Sequence, residues 1–396
     1  MVNHNTYKRR LRRIRAKVSN KSETFTILHS NIRGYSSKSI SLQAIAGCKM
    51  PTVLTLNETM LLSNKELNLK GRYCFTSNRT GTGGGGIATC IRKNDKGDTI
   101  KMYEGEDDLE LLVTRHGQYS TPINILNIYG AVESRSTKDK IKERWIKIRE
   151  IIKQIEAKRE LLVVIVDLNA HVGDIIPGNK AKISYGGQFL REFLESEQYT
   201  LVNATDKTVG GPFTRIDPSN EESKSALDLV VVSNGLLKYV DSVVIDKERL
   251  FTTARPVSKC KVNYTDHYSL LLTLSLPSGK TKRLKNQTTM WNTNREGGWE
   301  LYENLTTENR VLEDAAKSTA NANEIMEIIH KELDNAKYSA FGKVKVKDNC
   351  QYDKELAEIQ MRKAAAISNG QVDIENVEKE IASTLLVKQR DSFKKN

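Results

Sequence analysis

Six polar clusters punctuate the apolar runs of the first 277 residues: Asn31, Asn57-Glu58, Asn127-Ile128-Tyr129, Asp167-Leu168-Asn169, Asp228 and Asp266-His267. Carboxylates, carboxamides, a phenol and an imidazole at strand edges suit attack on a phosphodiester. Such a group is already anionic, so the attack needs charge neutralisation. Magnesium does this through hard oxygen ligands, and Glu58, Asp266 and the amide oxygen of Asn31 are of that kind. The nucleophile is then a water aligned by a carboxylate such as Asp167. Charge building on the non-bridging oxygens calls for donors, a part open to Asn169, Tyr129 and His267. A histidine in this role needs its second nitrogen held by an acceptor, which Asp228 can supply.

These residues need elements to position them, and the elements are readable. Phe25-Thr26-Ile27-Leu28 and Thr52 to Leu56 are short β-branched or apolar runs that predict strands, as do Ile87 to Ile91, Leu109 to Thr114 and Ile123 to Tyr129. Leu161 to Val166 is unbroken apolar sequence of strand length, which predicts a buried strand leading straight into Asp167. Thr200 to Val202, Leu227 to Val232 and Tyr268 to Leu276 complete the strands. Helices are predicted over Ser39 to Cys48, Lys138 to Lys158 and Gln188 to Glu197. In the second of these, Ile141, Trp145, Ile148, Ile152 and Ile155 recur at three- and four-residue steps. Strand ends project side chains into the loop layer, where a rigid scaffold can hold them.

The composition sets outer bounds. A chain of 396 residues can bury a large core. Its mean hydropathy is −0.50 and it has no apolar run of spanning length, so a membrane partner is not expected. The N-terminus is basic and lacks the apolar stretch of a secretory signal, so a nuclear or other intracellular place is expected rather than secretion. The net charge of +13 and pI near 9.3 suit a polyanion. Five cysteines, widely spaced and odd in number, argue against a disulfide scaffold or a zinc site. Residues 1–22 form a basic tail with Lys8-Arg9-Arg10-Leu11-Arg12-Arg13-Ile14-Arg15, open to a nuclear signal, a nucleic-acid arm or a solvated terminus. A domain over 23–277, a linker over 278–297 and a charged helical region over 298–396 complete the expected organisation.

Taken in order, Ser30-Asn31-Ile32-Arg33-Gly34, Leu56-Asn57-Glu58-Thr59, Asn127-Ile128-Tyr129, Asp167-Leu168-Asn169-Ala170-His171, Ser225-Ala226-Leu227-Asp228 and Thr265-Asp266-His267-Tyr268-Ser269 resemble the motifs of the endonuclease/exonuclease/phosphatase superfamily. The resemblance spans about residues 24–277. It implies a DNase I-like four-layer α/β sandwich, two packed mixed sheets flanked by helices, here with a C-terminal helical extension. Asn31-Ile32-Arg33-Gly34, the glycines at 83–86, Asp167 to His171 and Gly210 to Arg215 look most like the endonuclease domain of non-LTR retrotransposons. Trp291-Asn292 and Glu296 to Glu300 resemble the linker before a reverse transcriptase, which implies such a downstream partner.

Carried over by residue, the resemblance implies that Asn31 and Glu58 hold Mg2+, or Mn2+ in its place, with Asp266 nearby. Asp167 orients or deprotonates the water, and Asn169 steadies the phosphate. His267, paired with Asp228, contacts the scissile phosphate, and Tyr129 supports phosphate or leaving group. Arg33, Thr214 and Ser225 fall at substrate-binding positions. Two departures stand out: Asn57 replaces a common Gln, and Val166 replaces a Gly, placing a side chain beside Asp167.

Other motifs carry less. Gly81 to Gly86 fits a phosphate-cradling spacing, but the strand-like Ile87 to Ile91 follows it, so a hairpin loop is the reading. His171 is read as a loop residue, and His29 shows no ligand spacing. The implied activity is a DNA-nicking endonuclease. An abasic-site repair enzyme and a lipid or inositol phosphate phosphatase use the same machinery, and a catalytically idle DNA-binding module is the non-enzymatic alternative.

Overall fold

A computed structural model of the chain describes residues 22–277 except 48–50, 63–64, 79–83, 96–98, 105–108, 118, 120, 131, 196–197, 218 and 259–260. Beyond these it describes 289–291, 295–307, 314, 322–341, 343–345, 355–356, 358–359, 362–363 and 374–394. The basic stretch at 8–15, the linker at 278–287 and Cys48, Cys260 and Cys350 lie outside the described residues. Contacts divide the chain into two units, one of 1–281 with 350–396 and one of 282–349.

The first unit holds two large sheets. One is formed by β1 (Ser22–Asn31), β2 (Val53–Asn57), β3 (Arg72–Ser77), β4 (Ile87–Arg92), β10 (Thr208–Val209), β14 (Val240–Ile245) and β17 (Leu270–Pro277), in the order β10-β14-β17-β1-β2-β4-β3. The other is formed by β5 (Thr99–Glu104), β6 (Glu110–His116), β7 (Ile123–Tyr129), β8 (Leu161–Asp167), β9 (Tyr199–Leu201) and β13 (Asp228–Ser233), in the order β5-β6-β7-β8-β13-β9. Both sheets are mixed: β1–β2, β10–β14 and β7–β8 are parallel and the remaining pairs antiparallel. Hairpins β11 (Arg215–Asp217) with β12 (Asn220–Ser225), and β15 (Ala254–Ser258) with β16 (Lys261–Tyr264), stand outside them.

Three apolar layers join this into a four-layer sandwich. Phe25, Ile27, Val53, Ile123, Val163, Ile165, Val230 and Leu272 fill the space between the sheets. Helices Lys138–Ala157 and Tyr185–Glu195 cover the outer face of the β8 sheet, and helix Ser39–Gly47 covers that of the β1 sheet. The long helix begins at Thr137, whose hydroxyl accepts from the Lys140 amide at 3.3 Å. Its Ile141, Trp145, Ile148, Ile151, Ile152 and Ile155 are buried, each contributing about 1.5–3 kcal/mol.

Strand β8 settles the matter of Val166. Side chains alternate along a strand, so Leu162, Val164 and Val166 face the helices while Val163, Ile165 and Asp167 face the other sheet. Val166 therefore packs on the side opposite the Asp167 carboxylate.

The C-terminal region divides between the units. Helix Ile374–Lys394 packs on hairpin β15–β16 together with Leu356 and Ile359, and these two residues with Ile381 and Leu385 bury Ala44 and Ala254. Lys363, with only 2% of its side chain exposed, pairs with Glu378 at 2.8 Å and donates to the Tyr264 hydroxyl at 3.1 Å. In the second unit, helices Gly298–Thr307 and Ala322–Phe341 pack through Trp299, Tyr302 and Phe341, and β18 (Thr289–Trp291) pairs with β19 (Lys343–Lys345). Among the described residues no helix is long and apolar enough to cross a membrane.

Candidate active site

Register gathers the six clusters at one edge of the sandwich. Parallel pairing of β1 with β2 sets Asn31 opposite Asn57, and that of β7 with β8 sets Tyr129 opposite Asp167. Antiparallel pairing of β8 with β13 sets Asp228 opposite Asp167. Residues 266–268 run beside the start of β11: Ile216 N donates to Asp266 O at 3.0 Å and Tyr268 N to Thr214 O at 2.6 Å. Arg249 pins the same segment from behind, donating to the carbonyls of Thr265 and His267 at 2.6 and 2.8 Å.

On one side stand the oxygen donors. Asn31 Nδ2 donates to Glu58 Oε1 at 2.8 Å and to Asp167 Oδ2 at 2.7 Å, bridging the two sheets. The Tyr129 hydroxyl donates to the same Glu58 oxygen at 2.9 Å. Burial, then the nearby charges of Glu58 and Asp167, raise the Tyr129 pKa, so it stays a neutral donor. Asp167 Oδ1 accepts from the Asn169 amide at 3.3 Å, and Asn169 Nδ2 donates to Gly130 O at 3.0 Å. Asp167 is fully buried. Its burial and the neighbouring Asp228 charge push its pKa up to about 6, against the pull of His267 and Asn31.

On the other side is an imidazole–carboxylate pair. His267 Nδ1 lies 2.8 Å from Asp228 Oδ2 and 3.9 Å from Asp167 Oδ2. Burial works against a charged ring, but Asp228 and then Asp167 outweigh it, and His267 is raised to about 9. Burial would likewise raise Asp228. The charge and hydrogen bond of His267, helped by His29, hold it below the ordinary carboxylate range instead. Thr214 serves this pair through its hydroxyl, which accepts from the amides of Leu227 and Asp228 at 3.0 Å each. Ser225 supports Thr214 in turn through its main-chain carbonyl.

Asp266 has a different setting from Glu58. Arg33 Nη1 meets its Oδ1 at 2.9 Å and Arg215 Nε its Oδ2 at 2.9 Å. Its pKa is lowered; burial opposes this, but His267, Arg33 and Arg215 prevail. Asp266 and Arg33 border a cleft of about 640 Å³ that also touches Arg255, Tyr264 and Met60.

The backbone at this edge is bent to fit. Arg33, Glu58, Met60, Asn169 and Arg249 adopt left-handed conformations with φ between 43° and 54°. Such residues each cost roughly 1–2 kcal/mol and cluster where a site demands them. The Glu58–Met60 turn rests on the glycine loop: Thr59 N donates to Gly86 O and Met60 N to Gly85 O. A β-carbon on Gly86 would lie 2.7 Å from Thr59 Oγ1, and Gly86 has φ +80°, so glycine is required there. The described glycines thus seat Glu58, and β4 follows them as a strand.

For a hard divalent cation, the oxygen donors that fit are the Glu58 and Asp167 carboxylates, bridged by Asn31 Nδ2, with the Asn31 amide oxygen beside them accepting from Arg33 N at 3.1 Å. Asp266 fits less well, since both of its oxygens already face guanidinium groups. Asp167, Asp228 and His267 also come within 4.8 Å of one another. The His267 nitrogen in that group is committed to Asp228, which makes the trio a proton-holding cluster.

Four contributors were given no site role from the sequence. Asn127 Nδ2 donates to Ala88 O at 2.9 Å across the sheets, and Asn57 Nδ2 reaches Ile128 O at 2.9 Å in the opposite direction. Arg215 was visible only within a motif. His29 lies 3.4 Å from Asp228 Oδ1. Strand alternation was the available signal for His29, because it shares a face with Asn31 two residues later. His171 sits in the adjacent loop, its amide bonded to Ser184 Oγ at 3.0 Å.

No family model and no curated protein matches the sequence. Solved structures do resemble the fold. The 3′ phosphatase NExo from Neisseria, bound to a product DNA hairpin, gives a TM-score of 0.50 at 16% identity, covering 63% of this chain and 99% of that one. AP endonuclease LMAP from Leishmania major gives 0.51 at 16% identity, covering 64% and 88%. The endonuclease domain of TRAS1, a telomere-specific non-LTR retrotransposon, gives 0.46 at 17%, covering 64% and 100%. At such identities the likeness is one of fold, and the first two establish that the chain has the DNase I-like sandwich.

Proposed function

We propose that this protein is a divalent-metal-dependent phosphodiesterase that cuts DNA. The observation that carries the reading is the facing arrangement at one sheet edge: Glu58, Asn31, Asp167 and Tyr129 on one side, and the buried Asp228–His267 pair on the other.

Each residue has a part set by its surroundings. Glu58 and Asn31 would hold a divalent cation, which when bound would supply charge neutralisation of the phosphate and Lewis acidity. Asp167, poised near 6 and fixed by Asn31 and Asn169, takes the proton of the attacking water. His267 is held as the imidazolium by Asp228 and places its positive charge on a non-bridging oxygen. Tyr129 donates from its phenol on the metal side, and Asn169 steadies the same region. Asp266 aligns Arg33, on the cleft, and the neighbouring Arg215 as phosphate contacts.

DNA as the substrate is supported by the net charge of +13 and by the DNA-acting proteins of like fold. The finer reading, a nicking endonuclease of a non-LTR retrotransposon working ahead of a reverse transcriptase, rests on the sequence motifs. The test is supercoiled plasmid incubated with magnesium and with manganese, using wild type, Glu58→Ala and His267→Ala. Nicking by wild type that falls at least ~100-fold in both variants is expected. Equal nicking by all three proteins sinks the site, and preferential cleavage of an abasic oligonucleotide, or phosphate release from inositol phosphates, redirects the substrate.

A further inference from the structure

Asp228 is a buried carboxylate with no Lys or Arg partner among the described residues; its recorded ion pairs are to His267 and His29. His267 serves one oxygen, Oδ2. Its other oxygen, Oδ1, has no hydrogen bond of ordinary length, and neither has His29 Nε2. These two atoms face each other at 3.4 Å. Buried, unsatisfied polar atoms are rare and costly, so two that point at one another form a unit.

The position of His29 is not accidental to the fold. Along β1 the side chains of Phe25 and Ile27 enter the space between the sheets, and alternation sends His29 and Asn31 the same way. His29 is 1% exposed. Its Nδ1 lies 3.1 Å from Thr55 Oγ1, the residue in register on β2. A threonine hydroxyl donating to Nδ1 leaves the ring proton on Nε2, aimed at Asp228.

We infer that His29 is a positioning residue of the active site, clamping the second oxygen of Asp228 so that the carboxylate stays anionic and turned towards His267. One hydrogen bond fixes one oxygen of a carboxylate; the second fixes its plane. Since His29 belongs to the β1 sheet and Asp228 to the β8 sheet, the clamp ties the acid–imidazole pair to the spacing between the sheets. The kinetic arm of the test rests on the phosphodiesterase reading, while the spectroscopic arm does not.

The full chain labelled with 15N-histidine is observed at pH 7, where a hydrogen-bonded His267 Nδ1–H gives a low-field proton resonance. His29→Leu keeps bulk but removes the donor, whereas His29→Gln keeps a donor at the position of Nε2. The resonance is expected in wild type and in His29→Gln, and to be lost or shifted upfield in His29→Leu. In plasmid nicking, kcat of His29→Leu is expected to fall about tenfold with KM within about twofold. In an Asp228→Asn background the same change is expected to cost less than about twofold, because its route of action is gone. A resonance unchanged in His29→Leu, or a full tenfold loss on top of Asp228→Asn, overturns the inference. Should His29→Leu not fold, His29→Asn decides. Its shorter amide cannot reach Oδ1, and a resonance it shares with His29→Gln is then the overturning result. Absence of nicking by wild type would overturn the phosphodiesterase reading and leave the resonance to judge His29.

Discussion

Replacing Asp228 by asparagine tests the electrostatics of the site at one atom. His267 titrates at about 9 against an ordinary 6.5, a rise of about 2.5 (9 − 6.5). Burial lowers the ring's pKa, so the rise comes from the carboxylates, Asp228 before Asp167. Asp228→Asn keeps the shape and removes the larger of these charges. His267 should then titrate at or below its ordinary value. At pH 8 the ring would pass from about nine-tenths protonated to about one-thirtieth, a ~30-fold loss from protonation alone. The assay is kcat/KM from pH 5.5 to 10 at fixed ionic strength, with a 15N-histidine titration of the ring beside it. Wild type should give a bell, rising through about 6 as Asp167 loses its proton and falling through about 9 as His267 does. The variant's alkaline limb should drop by about two pH units or more. A limb and a ring pKa left near 9 would show that Asp228 does not hold the charge. Linkage gives an independent reading. A pKa raised on folding contributes stability in full below about 6.5 and loses it as pH climbs through about 9. The stability difference between wild type and variant should therefore narrow across that window.

Four further changes separate roles that sequence alone merges. Glu58→Ala should weaken manganese binding, followed by electron paramagnetic resonance, by at least about tenfold. Asp266→Asn should alter it by less than about threefold yet raise KM for DNA, since Asp266 aligns arginines; equal loss of metal in both would return Asp266 to the ligand set. Val166→Gly should cost roughly 2–4 kcal/mol in urea unfolding, from a lost core side chain and a freer backbone. Its nicking rate should stay within about twofold, and a marked gain in rate would mean that Val166 obstructs the site after all. Leu385→Ala should cost about 2–5 kcal/mol in the unfolding of the first unit; an unchanged transition would detach helix Ile374–Lys394 from that unit.

The strands with dense apolar or β-branched sequence were legible directly. β8 is buried on both faces, and helix Lys138–Ala157 repeats its isoleucines at helical steps, so each announces itself by period. β3, β5, β10, β14 and the two hairpins were not read from the sequence. Asn220–Ser225 is polar throughout, and only pairing with β11 makes it a strand. In the same way 298–396 reads as one charged helical region, because composition does not reveal which apolar face meets which partner. The structure sends Leu356, Ile359, Ile381 and Leu385 to hairpin β15–β16 and groups 282–349 apart.

By itself the sequence determined the inventory of the site: which side chains stand at strand ends, in what order, and for what chemistry they are suited. Local sequence decides these things because strand and helix periods act over a few residues. Only the tertiary structure decided the pairings. Asn31 reaches Asp167 across 136 residues and Arg33 reaches Asp266 across 233, contacts fixed by sheet register and the distance between sheets. The same packing turned Val166 away from the Asp167 carboxylate, gave both oxygens of Asp266 to arginines, and brought His29, unremarkable in the sequence, against Asp228.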